Sequence, residues 1–301
     1  WSSDVCSSDL KTGVIPAQAG IQIKNLLDSR IRGNDALTTF DLLKTFAVIF
    51  MIIDHVGFYF LTPAIDAGMG DPHLWLRAVG RWCVPIWFFL IGYGRSGVIP
   101  LSLMIGAGAL TVMNFVTGMF LFPLNALISM MIIRLIIPYV VRFAFASREG
   151  MGVTIIMIGI GYFITNDLFE YGTVGLLMAM MGYMMREWRD RTDFIARFNQ
   201  RVLKIGAVVA VMAVILSQYY AFQFGMAQGV VMATGMAIVF AILFVIRPTT
   251  YPLLSNHLPV ILRRAVQGCG RRTMEIYVIH LIVFKVVALV FGLGYPIYGW
   301  F

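Results

Sequence analysis

The chain has 301 residues, of which 59% are apolar and only 13% charged, and the apolar residues gather in repeated runs of about 20. A soluble core has no room for so many such runs, so the bilayer is the expected solvent and an ordinary water-soluble domain is excluded. The formal charge of +8 falls largely between the apolar runs, where Lys and Arg set membrane orientation or meet anionic head groups, so nucleic acid is not an expected partner.

Residues 1 to 36 are polar and aperiodic, open on Trp1 and hold no Met before Met51, which falls inside the first apolar segment. The string VIPAQAGIQ, with LDSRIRGND after it, resembles the translation of a dispersed bacterial DNA repeat, and the opening residues resemble sequencing-adaptor read-through. This stretch is expected to be a non-native leader or disordered tail, and residues 37 to 301 a single transmembrane domain.

Nine apolar segments follow, near 41–62, 83–94, 98–120, 124–145, 151–166, 171–186, 203–221, 226–246 and 274–292. They predict an all-α polytopic bundle of about nine spans, with eight and ten as the bounds. The second and fifth are short for the roughly 20 residues a crossing needs. The second is therefore expected to extend back through Arg81 and Trp82, or one of the two to be re-entrant. Alternate connections hold fourteen Lys and Arg (Arg95; Arg142 and Arg148; six from Arg186 to Lys204; five from Arg247 to Arg272). The opposite connections hold Arg77 and Arg81 and an acidic loop with Asp167 and Glu170. By the positive-inside rule the N-terminus and the basic loops near 187–202 and 247–273 are cytoplasmic and the C-terminus is outside, in a bacterial inner membrane.

The stretch from Arg247 to Thr273 contains Pro248, Pro252, Pro259 and Gly268, with Arg pairs beside the apolar run 258–262, and is expected to be a cytoplasmic loop with a piece lying on the membrane surface. Gly225 and Gly229, four apart, predict close helix packing. Cys6, Cys83 and Cys269 lie far apart without Cys/His spacing, so neither a disulfide framework nor a metal site nor redox chemistry is expected.

Asp54 and His55 stand in the middle of the first apolar run, where an ionisable group costs several kcal/mol unless it meets a partner or a wet cavity. Lys44 precedes His55 by eleven residues, or three helical turns, so both fall on nearly one face with a rise of roughly 16 Å. Such a face suits a lengthwise channel, with phosphates near Lys44 and an acyl group deeper in. A neutral His can take the proton of an amine or hydroxyl that attacks a thioester carbonyl, and Asp54 is the carboxylate nearest in sequence to orient or balance it. The alternative is a packing role in which Asp54 and His55 satisfy each other. It is disfavoured because adjacent helical residues point about 100° apart.

In the second segment Arg77 and Arg81 fall near the outer interface and Arg95 inside. Pro85 predicts a kink, and Gly92 and Gly94 the close approach of another backbone. Arg77 is expected to be an interface anchor, Arg81 and Arg95 either anchors or phosphate-holding groups. Arg134, midway along the fourth segment, needs a partner, for which a phosphate or Asp54 would serve. In the last segment Glu275 falls at head-group level, and His280 is either a second wall of a donor site or bonded to a neighbouring helix. Lys285 lies on a distinct face from His280. His73, His257, Asn114 and Gln218 suggest nothing specific.

LLKTFAVIFMIIDHVG followed by RAVGRWCVPIWFFLIGYG resembles the paired N-terminal signature of TraX-type proteins, the family named for acetylation of conjugative pilin, over residues 37 to about 96. The wider acyltransferase-3 group of membrane acyltransferases is similar. It has a basic residue, ten residues and then His in its first helix, a VPxFFxxSGF-like second helix and a terminal YLIH. Here these are Lys44 to His55, VPIWFFLIGYG and YVIH. The resemblance implies that His55 is the catalytic base and that Lys44, Arg81 and Arg95 bind or position the donor, acetyl-CoA or another acyl-CoA. The chain departs from the wider group in Lys44, where Arg is usual and bidentate geometry is lost, and in having nine segments where ten spans are typical. Residues 97 to 270 carry no specific motif.

The function this implies is transfer of an acetyl or similar acyl group from cytoplasmic acyl-CoA to an extracytoplasmic acceptor, a pilin N-terminus or an envelope glycan. The alternatives are a proton-coupled transporter with Asp54, His55, Arg134, His280 and Lys285 as a relay, and a non-catalytic scaffold for pilus or envelope assembly. The outer loop from Pro63 to Trp75 and the acidic loop near Asp167 and Glu170 are expected to shape the acceptor side.

Overall fold

The computed structural model describes residues 36–61, 72–117, 122–165, 167–190 and 200–293. The expected leader, most of the outer loop from Pro63 and the centre of the basic loop near 187–202 lie outside the described residues. Each of the nine apolar segments is centred on a helix. Helix α1 (Thr39–Val56) runs on into a π-helical turn, Gly57–Leu61. Then α2 (Pro72–Gly80), a 3-10 turn (Arg81–Cys83) and α3 (Val84–Gly94) succeed one another without a break. Next come α4 (Leu101–Val116), α5 (Ala126–Ala144), α6 (Arg148–Thr165), α7 (Gly172–Asp190), α8 (Gln200–Phe222) and α9 (Met226–Val245). The chain closes with α10 (Pro252–His257), α11 (Val260–Arg271) and α12 (Thr273–Val290).

Among the described residues, six stretches are long and apolar enough to cross a membrane: Thr39–Leu61, Pro72–Gly94, Ala126–Ala144, Lys204–Phe222, Met226–Val245 and Thr273–Val290. Leu101–Val116 and Glu149–Thr165 are shorter apolar helices. This is the make-up of an all-α, multi-pass membrane protein. Its outward faces agree. Phe163 is 79% exposed and Phe115 77%, side chains that water would penalise and hydrocarbon accepts.

The second segment owes its full length to local backbone chemistry at Pro85. Proline has no N–H to return to the carbonyl one turn back, but the carbonyl of Arg81 is instead taken by the N–H of Val84 in the 3-10 turn. The helical path therefore continues from Pro72 to Gly94, and Arg77 and Arg81 lie within it rather than in a flanking loop.

The chain divides into two compact units. The larger holds the described residues of Phe46–Val245 and those from Met274 onward. Its centre is the Pro72–Gly94 stretch, of which 67% is buried, against 17% for Lys204–Phe222 and for Thr273–Val290. Helices α3 and α7 touch at backbone distance. A Cβ on Gly92 would lie 1.8 Å from the Ala179 carbonyl oxygen, and one on Gly182 2.0 Å from that of Phe89. Gly94, expected to allow the same approach, has open space beside it. Gly229 lies against the ring of Tyr219 in the preceding helix rather than against another backbone.

The smaller unit holds the described residues up to Thr45 and Ile246–Thr273. Strands β1 (Leu37–Thr38) and β2 (Thr250–Tyr251) pair antiparallel, Leu37 opposite Tyr251. Helix α1 starts in a reciprocal cap. The Asp41 Oδ2 accepts from the Thr38 N–H at 3.0 Å and its hydroxyl at 2.7 Å, while the Asp41 N–H donates to the Thr38 Oγ1 at 3.1 Å. The stretch read as a loop, 247–273, is mostly helical, in α10 and α11. Ser255 at its centre accepts from the Leu37 N–H at 2.7 Å.

Candidate functional site

Three buried charges meet where the end of α1 reaches the Pro72–Gly94 stretch. Asp54 is 2% exposed, Arg81 2% and Arg77 5%. Arg81 grips the Asp54 carboxylate with both arms, Nε donating to Oδ1 at 3.2 Å and Nη2 to Oδ2, and its Nη1 donates to the Tyr171 hydroxyl at 2.7 Å. Arg77 Nε lies 3.5 Å from the same Oδ1. Both guanidinium groups sit over the ring of Phe222, at 4.4 Å for Arg81 and 4.8 Å for Arg77. Gly80 makes the meeting possible, because a Cβ there would stand 2.3 Å from that of Asp54.

His55 follows Asp54 but points elsewhere, as neighbours on a helix must. Its Nδ1 lies 2.8 Å from Nε2 of His280 on α12, and His280 Nδ1 lies 2.8 Å from the carbonyl oxygen of Ile276. Tyr59 and Tyr277 flank the His55 ring, each with its centroid 6.3 Å away. The carboxylate is therefore held by arginines and the imidazole by a second imidazole.

His55 and Asp54 line a cavity of about 30 Å³ with Cys83, Trp87, Glu170, Tyr171 and Tyr277, enough for roughly two waters. A second cavity of about 40 Å³ shares Glu170 and Tyr171 and adds Ser217, Gln218 and Phe222. The Gln218 side-chain oxygen is buried there with no hydrogen-bond partner among the described residues. Glu170 accepts from the Ala126 N–H at 2.8 Å, at the start of α5.

Of the other expected residues, Arg95 lies apart. Arg95 caps α3 in the left-handed region (φ 51°) and is engaged by two carboxylates of α7, Glu187 at 2.6 Å and Asp190 at 2.5 Å. Fourteen residues along a helical path from Arg81, it is roughly 20 Å away. Burial acts to raise the Asp190 carboxyl, but Arg186 and Arg95 overcome this and hold it below the usual carboxylate range. Arg134 is buried on α5, and the guanidinium groups that bind Asp54 belong to Arg77 and Arg81. Lys44 is half-buried on α1, three turns before His55. Lys285 is 4% exposed and donates to the Asn114 side-chain oxygen on α4. Sequence reasoning left out Tyr171, gave Arg77 only an anchoring role and drew nothing specific from Asn114. The signal for Asn114 was a polar amide in the middle of an apolar run.

The comparisons return a relative of unassigned role. The chain is 27% identical to uncharacterized protein RP591 of Rickettsia prowazekii (strain Madrid E) over 169 residues, 54% of this chain and 63% of that protein's length. No family model and no solved structure matches the chain.

Proposed function

We propose that this protein is a membrane-embedded acyltransferase of the TraX kind, moving an acetyl or similar acyl group from cytoplasmic acyl-CoA to an extracytoplasmic acceptor, a pilin N-terminus or an envelope glycan. The observation that carries the reading is convergence. The three segments of the resemblance, distant in sequence, meet side chain to side chain, Asp54 with Arg81 and His55 with His280. Packing alone does not require that the ionisable residues of those segments find one another.

In this reading His55 is the general base. It takes the proton of an acceptor amine or hydroxyl as that group attacks the thioester carbonyl. The carbon–sulfur bond breaks, and the proton passes to the leaving thiolate. Asp54 and Arg81 fix the end of α1 that carries the base, and Lys44 holds donor phosphates nearer the cytoplasm. Nine crossings with the N-terminus inside, in a bacterial inner membrane, complete the proposal. The orientation is strengthened because Arg77 and Arg81 lie inside a helix and leave the count of outer loop charges.

The test is thiol release from acetyl-CoA by membranes carrying the full chain, compared with His55→Ala at equal expression. The expected result is turnover in the wild type and a loss of 100-fold or more in the variant, the scale of a missing general base. Equal turnover in both would contradict the assignment. One observation favours a second reading, a proton path: the two cavities share Glu170 and Tyr171. That reading predicts proton-coupled solute uptake into proteoliposomes without thiol release.

A further inference from the structure

The contact between the two histidines fixes protons as well as positions. The carbonyl oxygen of Ile276 can only accept, so His280 Nδ1, 2.8 Å from it, carries hydrogen. In a neutral ring Nε2 of His280 then holds a lone pair. That lone pair faces His55 Nδ1 at 2.8 Å, and a single proton fits between the two nitrogens, so it belongs to His55 Nδ1. The nitrogen of His55 left with a lone pair is Nε2, on a ring that lines the cavity.

We propose that His280 is a positioning residue that holds His55 in the Nδ1–H tautomer, making Nε2 the basic atom. The proposal rests on the acyltransferase reading for its catalytic meaning, but not for the tautomer itself. A carboxylate commonly orients a catalytic histidine, yet the described hydrogen bonds and ion pairs give the Asp54 oxygens to Arg81 and Arg77. A second imidazole takes that place here. It accepts from Nδ1 as a carboxylate would, but adds no negative charge, which keeps both rings neutral at rest in an apolar setting. During reaction the acceptor's proton goes to His55 Nε2 as the new acyl bond forms and the thioester carbon–sulfur bond breaks. The resulting imidazolium shares its charge across the Nδ1–H···Nε2 bond, and the proton then goes to the thiolate, restoring the starting tautomer.

The chain has four histidines, so imidazole nitrogen resonances of the ¹⁵N-histidine-labelled full chain in lipid nanodiscs can be assigned by single substitutions. The expected spectrum has both His55 and His280 protonated at Nδ1 and bare at Nε2. In His280→Leu, which offers no acceptor, His55 should redistribute between its two tautomers. Thiol release should fall about 10- to 100-fold. His280→Gln, whose side-chain oxygen can accept in place of Nε2, should restore the His55 tautomer and most of the rate. A wild-type His55 protonated at Nε2, or an imidazolium on either ring, overturns the proposal without any variant. A His280→Leu protein whose His55 tautomer and rate are both unchanged also overturns it. The expected tautomers without thiol release in the wild type would uphold the positioning role and defeat the acyltransferase reading.

Discussion

Asp54 illustrates how far a single residue can be read. A carboxylate amid apolar side chains announces that it needs a partner, and that much was legible. The partners were not, because Arg77 read as an interface anchor and Arg81 as an anchor or a phosphate-holding group, whereas the 3-10 turn before Pro85 carries the helix back to Pro72 and brings both within it. The structure ranks the three. Asp54→Asn takes away the carboxylate that two buried guanidinium groups share and Arg81→Gln leaves that carboxylate without its two-armed grip, each costing about 3–5 kcal/mol. Arg77→Gln removes the longer contact to that carboxylate, at 3.5 Å, together with a guanidinium stacked over Phe58 and Phe222, and should cost less than either. Unfolding of the purified variants in detergent checks the order, and an Arg77→Gln as damaging as Asp54→Asn would contradict it. Gly80→Ala should also destabilise, by about 1–3 kcal/mol, because its Cβ would meet the backbone of Asp54 at 2.6 Å.

Among elements, the contact of α3 with α7 depends on two glycines, of which Gly92 was legible in sequence and Gly182 was not. A glycine states that a neighbour can come close but not which one: Gly94, read alike with Gly92, has open space beside it, whereas Gly229 does pack closely, on the Tyr219 ring of the preceding helix. Gly92→Val and Gly182→Val should each force the helices apart, lowering stability by about 3 kcal/mol and favouring aggregation on size-exclusion chromatography. Monodisperse variants of wild-type stability would sink this account of the interface. At the C-terminal ends of the same helices, Arg95, Glu187, Asp190 and Arg186 form an ionic cluster. The Asp190 carboxyl is held below its ordinary value, so its contribution is present above that value, near pH 4, and is lost as pH falls through the lowered one. The stability gap between wild type and Asp190→Asn should thus be small at neutral pH, well under about 1 kcal/mol for so solvated a pair, and vanish in acid. A gap that widens on acidification would reverse the sign.

For the whole molecule, periodic apolar runs identified the helices because hydrocarbon demands them, residue by residue. The helices of 247–273 escaped because its prolines mark breaks between short helices as readily as they mark a loop: Pro252 and Pro259 each stand at a helix start, where a missing N–H costs nothing, while Gly268 lies inside α11. His280 was legible as a second wall of a donor site or as a histidine bonded to a neighbouring helix, but its pairing with His55 was not, since no period links residues 225 positions apart. That pairing is the ground for placing acyl transfer here. Its most direct test uses sealed inside-out vesicles containing the full chain, given labelled acetyl-CoA at the exposed cytoplasmic face. The account predicts label on acceptors inside the lumen, absent with His55→Ala at equal expression. Acetyl-CoA neither bound nor consumed by the wild type, with the vesicles intact, would contradict it.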